Sequence, residues 1–261
     1  MSIGIYMPAY NVENYIIEAI KSIEGQTYKD WELVILDDCS TDNTFEIASK
    51  YVKSKSRISI FKREERCGKI GKLKNETIGK LDQNHKYICH LGSDDRMPNN
   101  VFDVYLKNIE NTDIGMLCGS FLCFDDSGKQ WMYPHVKNSG PFDKGVLLKF
   151  MNGFPMRFYR WDVIRQVGGY SNELASAVDY DITLKVSEVA KIKRVEGFIS
   201  YFYRQHQQQV STNARPHQNL NAKKALSDAL KRRGIEADIL NDAPPFNIEI
   251  KTSSHFIWGK K

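Results

Sequence analysis

No stretch of this 261-residue chain approaches the ~18–20 consecutive apolar residues that span a bilayer. The opening, MSIGIYMPAYN, has neither the basic n-region nor the long apolar h-region of a secretory leader, so its apolar residues read as a first strand. Cysteine is scarce and scattered. Cys39, Cys67, Cys89, Cys118 and Cys123 are odd in number and form no CxxC pair. That argues against a disulfide framework and a clustered zinc site, and points to reduced thiols in a cytoplasmic protein. Internal repeats and low-complexity tracts are also lacking. What remains, 41% hydrophobic and 26% charged residues, is the composition of an ordinary globular protein with room for a sizeable core.

Positive charge is in excess, +5 overall, and unevenly placed. Between Lys53 and Lys80 ten Lys/Arg face three Glu, and from Tyr201 to Lys261 ten face five acids. Charge runs are usually solvated faces. Read functionally, these two imply an anionic partner: a nucleotide diphosphate, an acidic polysaccharide, nucleic acid or a membrane surface touched peripherally.

The first half alternates between apolar β-branched runs and segments of helical spacing. IGIYM, WELVILDD, RISIFK and KYICHL read as strands. VENYIIEAIKSI, TDNTFEIASKYV, KIGKLKNETIGKL and NNVFDVYLKNIE read as the helices between and after them. Such alternation predicts right-handed βαβ units and a mostly parallel sheet, whose ligands bind beyond the carboxyl ends of the strands. The second half is less regular. DIGMLCGSFLCF and FISYFYRQH read as strands, and PMRFYRWDVIRQVGGY as a strand entering a short helix. DYDITLKVSEV reads as a helix, and Gln207–Pro216 as a mobile polar loop. NLNAKKALSDALKRRG reads as an amphipathic helix whose stripe, Leu220, Ala225, Leu226, Ala229 and Leu230, packs on the domain.

Polar residues cluster where the strands end. In CHLGSDDRMP, Asp94 and Asp95 stand side by side, and adjacent carboxylates repel unless a cation relieves them. A hard divalent ion such as Mg²⁺ or Mn²⁺ takes carboxylate and phosphate oxygens together. The bland reading is a helix cap for the segment beginning near Pro98. Other groups stand in similar places: Asp37 and Asp38 after the second strand, Pro8–Asn11 after the first, and His206 after the last. Asp179 and Asp181 sit at a helix start, where capping is again the bland reading.

IGIYMPAYNVENYIIEAIKSIEGQTYKDWELVILDDCSTDNT resembles the opening of a family 2 glycosyltransferase of the GT-A fold. LGSDD falls at that family's DxD region. GGYSNELASAVDYDITLKV resembles the stretch carrying the catalytic aspartate, and YRQHQQQVST its late Tyr-Arg-x-His segment. MRFYRWDVIRQVGGYSNELASAVDYD is similar in wording to the C-terminal glucuronosyltransferase domain of bacterial chondroitin and hyaluronan synthases. The resemblance spans residues 1–210. It implies a nucleotide-sugar half, about 1–98, and an acceptor half, about 99–210, with 211–261 as a helical extension.

The resemblance implies an inverting, metal-dependent transfer from a UDP-sugar to an acceptor hydroxyl. UDP-glucuronic acid or another UDP-hexose or pentose is the implied donor. Asp94, Asp95 and His206 would hold Mn²⁺ or Mg²⁺, and Asp179 would be the base, its basicity raised by partial burial. Pro8, Ala9, Tyr10, Asn11, Asp38, Lys69, Lys72 and Asp94 would meet the nucleotide sugar, and Arg157 and Asp181 the acceptor. Two departures stand out. Gly92 replaces the first acid of the DxD region, which puts a ribose contact in doubt. Val178 replaces the Glu before the catalytic Asp, as in the chondroitin-synthase-like wording. A glycan is the expected acceptor, and hydroxymethylated DNA the alternative. Of other classes, a nucleotidyltransferase would carry a Gly-rich basic loop after its first strand, which MPAYNVENY is not. A non-catalytic sugar- or nucleic-acid-binding module would leave the carboxylates and His206 unexplained.

Overall fold

The computed structural model describes residues 2–132, 147–148, 155–206 and 215–251. Most of the Gln207–Pro216 loop lies outside them. The first half follows the expected alternation: β1 (Ile3–Ala9), α1 (Ile16–Glu24), β2 (Trp31–Asp37), α2 (Thr44–Val52), β3 (Ile58–Lys62), α3 (Ile70–Ile78), β4 (Tyr87–His90) and α4 (Val101–Ile109). The second half comprises β5 (Ile114–Phe124), β6 (Gln130–Met132), β7 (Arg157–Arg160), α5 (Trp161–Gln166), α6 (Val178–Val189), β8 (Lys191–Arg204) and α7 (Arg215–Arg232). The short strands β9 (Ala237–Ile239) and β10 (Ile248–Ile250) follow. The strands β6, β9 and β10 are too short to show a period in the sequence, and β8 begins seven residues earlier than FISYFYRQH suggested.

One eight-stranded sheet runs in the order β3-β2-β1-β4-β7-β5-β6, with β8 beside β5. The pairs β1·β2, β1·β4, β2·β3 and β5·β8 are parallel. β7 is inserted antiparallel between β4 and β5, and β6 closes antiparallel on β5. Strand alternation splits the core into two layers. Ile3, Ile5 and Met7 of β1 and Leu33 and Ile35 of β2 face α1, α2 and α4. Tyr6 and Val34 face the opposite layer, with α5, α6 and α7. Each fully buried large apolar side chain contributes about 1.5–3 kcal/mol, so these two layers dominate the stabilisation.

The antiparallel insertion matters for function. Cys89 pairs with Phe158, so Arg157, the first residue of β7, lands at the carboxyl end of β4. The parallel β5·β8 pair ends at Phe124 and Arg204, which brings the end of β8 to that same end. The amphipathic helix α7 packs on α6 through Ala222, Ala225, Leu226, Ala229 and Leu230. Arg232 and Arg233 pin it to Glu188 at 2.9 and 3.4 Å. Leu220 departs from the expected stripe and is 66% exposed, because two residues along the helix place it about 200° round from the buried Ala222. Among the described residues no helix is long and apolar enough to cross a membrane.

Candidate active site

The ends of β1 and β2 are tied to each other before any ligand arrives. Pro8 and Ala9 are buried within β1, opposite Leu36 and Asp37. Asn11 sits at φ +51, a left-handed conformation that Asn tolerates, and its amide oxygen accepts from Thr41 N–H at 2.9 Å. Asp37 does not face the cleft. It is fully buried and accepts from Ser40 N–H at 3.0 Å and Ser40 Oγ at 2.5 Å, so it closes the turn after β2. Asp38 accepts from Cys67 N–H at 2.7 Å and lies 3.3 Å from Arg63 Nε. Burial pushes its carboxyl upward, against the Cys67 and Arg63 contacts. The Arg66 guanidinium lies 3.8 Å from the Tyr10 ring centroid.

The two adjacent carboxylates turn opposite ways. α4 begins at Val101 with Asn100 as its cap residue, so neither Asp94 nor Asp95 caps a helix. Asp94, 24% exposed at its side chain, meets His206 Nε2 at 3.0 Å. Asp95 points inward. One oxygen accepts from Tyr201 Oη at 2.6 Å and the other from Arg204 N–H at 2.8 Å. Burial and then the Asp94 charge raise the Asp95 carboxyl well above the ordinary range, with the Tyr201 and Arg204 hydrogen bonds offsetting part of that. The Arg204 guanidinium binds the Asp94 carbonyl at 2.9 Å, Asp126 at 2.6 Å, and Glu18 of α1. The Tyr15 ring lies 4.9 Å from the His206 ring. Gly92 explains its own place in the motif. Its N–H donates to Tyr201 Oη at 2.9 Å, and a Cβ there would overlap Asp95 Oδ2.

Asp179 lies in the first turn of α6, after Ala177 at φ +57. Lys74 Nζ from α3 reaches its Oδ1 at 2.8 Å, and Arg157 Nη1 from β7 reaches the same atom at 3.1 Å. Protein surrounds the carboxyl although its side chain is 41% exposed. Burial pushes this carboxyl upward, but the Arg157 guanidinium and the Lys74 ammonium outweigh it and hold it well below the usual range. The expectation that burial makes Asp179 more basic is therefore corrected, since two buried cations lie against it.

The remaining sequence candidates fall elsewhere. Asp181 is buried and pairs with Lys185 at 3.0 Å, and Lys185 in turn donates to the Gly169 carbonyl. It faces the domain interior and braces the turn after α5, because two residues along a helix place it about 200° from Asp179. Lys69 and Lys72 lie on the open side of α3, paired with Glu173 at 3.4 Å and Glu76 at 3.9 Å. The cation that α3 delivers to the site is Lys74. Sequence reasoning also passed over Tyr201 and His90, and gave Arg204 no role beyond its place in the Tyr-Arg-x-His segment. Helical spacing could have found Lys74, which shares the buried face of α3 with Gly71 and Ile78.

No group of three or more His, Cys, Asp or Glu side chains that could hold a metal ion occurs among the described residues. Asp94 and His206 supply one carboxylate and one imidazole. That donor set fits Mn²⁺ in chemistry, with phosphate oxygens or water completing the shell.

The chain is 28% identical over 234 residues to hyaluronan synthase of Pasteurella multocida, covering 89% of this chain and 23% of that protein. It is 26% identical to Escherichia coli chondroitin synthase, covering 90% and 33%. It thus spans about a quarter to a third of the length of these curated relatives. Among solved structures, S. aureus TarS 1–349 in complex with UDP-GlcNAc superposes with a TM-score of 0.72 at 20% identity, covering 88% of this chain and 66% of that one. A mannosyltransferase from Pyrobaculum calidifontis in complex with GDP-Man and Mn²⁺ gives 0.66 at 14% identity, covering 88% and 64%. The α/β architecture is that of the GT-A glycosyltransferases. Residues 4–168 match the profile of glycosyl transferase family 2, and the chain belongs to that family.

Proposed function

We propose that the chain is an inverting glycosyltransferase that moves a sugar from a UDP-sugar to a hydroxyl of a glycan. The observation that carries this reading is the convergence, at one end of the sheet, of the Asp94–His206 pair and the clamped carboxylate of Asp179. The superposition with TarS bound to UDP-GlcNAc supports a UDP-sugar donor.

In this reading Asp94 and His206 would hold Mn²⁺ or Mg²⁺, which would supply Lewis-acid stabilisation of the departing diphosphate when bound. Asp95 belongs to the frame, because both its oxygens already accept protein hydrogen bonds. Tyr10, Asn11 and Asp38 border the space for the nucleoside, with Pro8 and Ala9 buried behind them. Asp179 takes the proton of the acceptor hydroxyl as that oxygen attacks the anomeric carbon. The bond from that carbon to the diphosphate oxygen breaks on the opposite face, and UDP leaves with its electron pair. One base suffices for a single displacement with inversion.

The charge pattern favours a glycan over DNA as acceptor. Within the first basic run Lys55, Lys62, Arg63, Lys69, Lys72 and Lys74 all have acidic partners. Within the second, Arg204, Lys223, Lys224, Arg232, Arg233 and Lys251 do. Cations already neutralised in this way offer little to a phosphate backbone.

The test is a panel of UDP-sugars with Mn²⁺, scored for UDP release with and without oligosaccharide acceptors. One donor should be turned over, chelator should abolish the reaction, and Asp179→Asn should bind donor yet transfer about 10²–10⁴-fold more slowly. Full turnover in chelator would remove the metal from the reading, and full activity of Asp179→Asn would remove the base.

A further inference from the structure

Two buried cations converge on a single oxygen of Asp179. Lys74 is 3% exposed and Arg157 2% exposed, and both contact Oδ1. Among the described residues no donor reaches Oδ2. The Nε and Nη2 groups of Arg157 are buried without a hydrogen-bond partner there. A buried ion pair is weak evidence of a stabilising role, since an apolar pair of similar volume often serves as well. Two cations on one carboxylate serve stability less still, because they leave a surplus positive charge in the interior.

We propose that Lys74 and Arg157 are positioning residues that grip one oxygen of Asp179 so that its other oxygen faces the acceptor hydroxyl. The proposal rests on the reading of Asp179 as the base. The grip is built from three elements. α3 brings Lys74, the antiparallel insertion of β7 brings Arg157, and the first turn of α6 brings Asp179. The α3 side is itself locked. Asn75 donates to the Tyr170 carbonyl at 2.8 Å and accepts from Tyr170 N–H at 2.9 Å, and Gly71 is packed so closely that a Cβ would overlap the Ser171 carbonyl. Lys74 therefore cannot drift from Asp179 without moving the loop that leads into α6.

The groups facing the carboxylate are Lys74, Arg157, His90, Tyr6, Tyr159 and Tyr170. Burial, with Lys74 and Arg157 adding to it, holds His90 well below its usual range, so it is neutral. Burial likewise raises the three tyrosines, which stay protonated. The two cations offset the upward push of burial on Asp179. That lowers its intrinsic basicity, so the arrangement favours placement over proton affinity, and misplacement of a reacting group by about 1 Å can cost 10²-fold in rate.

The test uses the full chain with Lys74→Met, Lys74→Arg and Asp179→Asn. Lys74→Met should lower kcat by about 10²-fold with donor KM unchanged. In ¹³C carboxyl titrations the Asp179 signal, assigned by its loss in Asp179→Asn, should move to a higher midpoint. Lys74→Arg, which keeps the charge, should keep the low midpoint and recover part of kcat. An unmoved midpoint in Lys74→Met, or an unchanged kcat, overturns the clamp. Full activity of Asp179→Asn would instead remove the base reading itself, so the two failures are distinguishable. If Lys74→Met does not fold, the Lys74→Met/Asp179→Asn double variant decides: recovered thermal stability supports the pairing, and simple addition of the two losses overturns it.

Discussion

Asp95, which is buried, and Asp179, whose side chain is 41% exposed, stand at the same end of the sheet, and their surroundings treat them in opposite ways. Asp95 is held by neutral donors, the Tyr201 hydroxyl and the Arg204 backbone N–H, and burial beside Asp94 raises its carboxyl. Asp179 is held by two cations that bring its carboxyl down against burial. The first group is an anchor whose worth lies in hydrogen bonds and close fit. The second is a charge kept available. A motif that counts both as aspartates hides this difference, and so does a view that ranks acids only by depth.

Asp94→Ala should produce the largest split between the two adjacent aspartates. Loss of a bound Lewis acid is worth several kcal/mol, so transfer should fall by about 10³-fold with little change in the melting curve. Asp95→Asn should show first in the melt, because an amide nitrogen cannot accept from Tyr201 or Arg204 as both carboxylate oxygens do. Paired activity assays and thermal melts check this, and equal losses of both kinds would erase the distinction.

Gly92→Asp sharpens it further. It restores the first acid of the common family wording, yet the space at residue 92 is already taken by Asp95 Oδ2, with Tyr201 Oη 3.0 Å from the Cβ position. We expect a loss of about 1–3 kcal/mol from overpacking and no gain in donor affinity. Denaturant unfolding and donor titration measure the two. Tyr201→Phe should cost somewhat less, about 1–2 kcal/mol, by leaving Gly92 N–H and Asp95 Oδ2 without their shared hydroxyl.

These residues also mark how far the sequence could be read. Strand–helix alternation gave the order of the first half, and the resemblance placed Asp94, Asp179 and His206 in one site. Tyr201 and Asp95 are 106 residues apart, and nothing in a strand's period tells which distant acid a tyrosine will meet. Asp37 and Asp38 are indistinguishable in WELVILDD, yet the pleat sends one into a turn and leaves the other beside Cys67 and Arg63. Lys74 was concealed by composition. In a run of ten cations it looks like another solvated lysine, and only its helical register with Gly71 and Ile78 sets it apart. β7 was legible as a strand but not as an antiparallel insertion, so Arg157 could be named from its family position without its partner being visible.

The cation grip should leave a trace in stability as well as rate. A carboxylate held below its unfolded value near ~3.9 contributes stability that is full above that pH and is lost as pH falls toward the lower folded value. Wild type should therefore lose stability on acidification below about pH 4 that Asp179→Asn does not lose. The effect is modest, because solvent reaches a side chain that is 41% exposed. Melts across that acid range compare the two proteins, and parallel curves would contradict the cation-held carboxylate.

The smallest effect is expected at the surface. Lys223 pairs with Asp242 at 2.6 Å and Lys224 with Asp228 at 2.9 Å, both in partly exposed settings where such pairs contribute little. If these basic segments are balanced surface, Lys223→Ala and Lys224→Ala should leave oligosaccharide affinity unchanged between low and physiological salt. A polyanion would behave otherwise, since each phosphate contact on duplex DNA contributes a log–log salt slope of about −0.9. Binding of matched neutral, uronic-acid-containing and duplex DNA ligands, measured across that salt range, separates the cases. A steep slope on DNA that flattens when the two lysines are removed would mean that the ion pairs open for a phosphate backbone, and the acceptor would then have to be sought among nucleic acids.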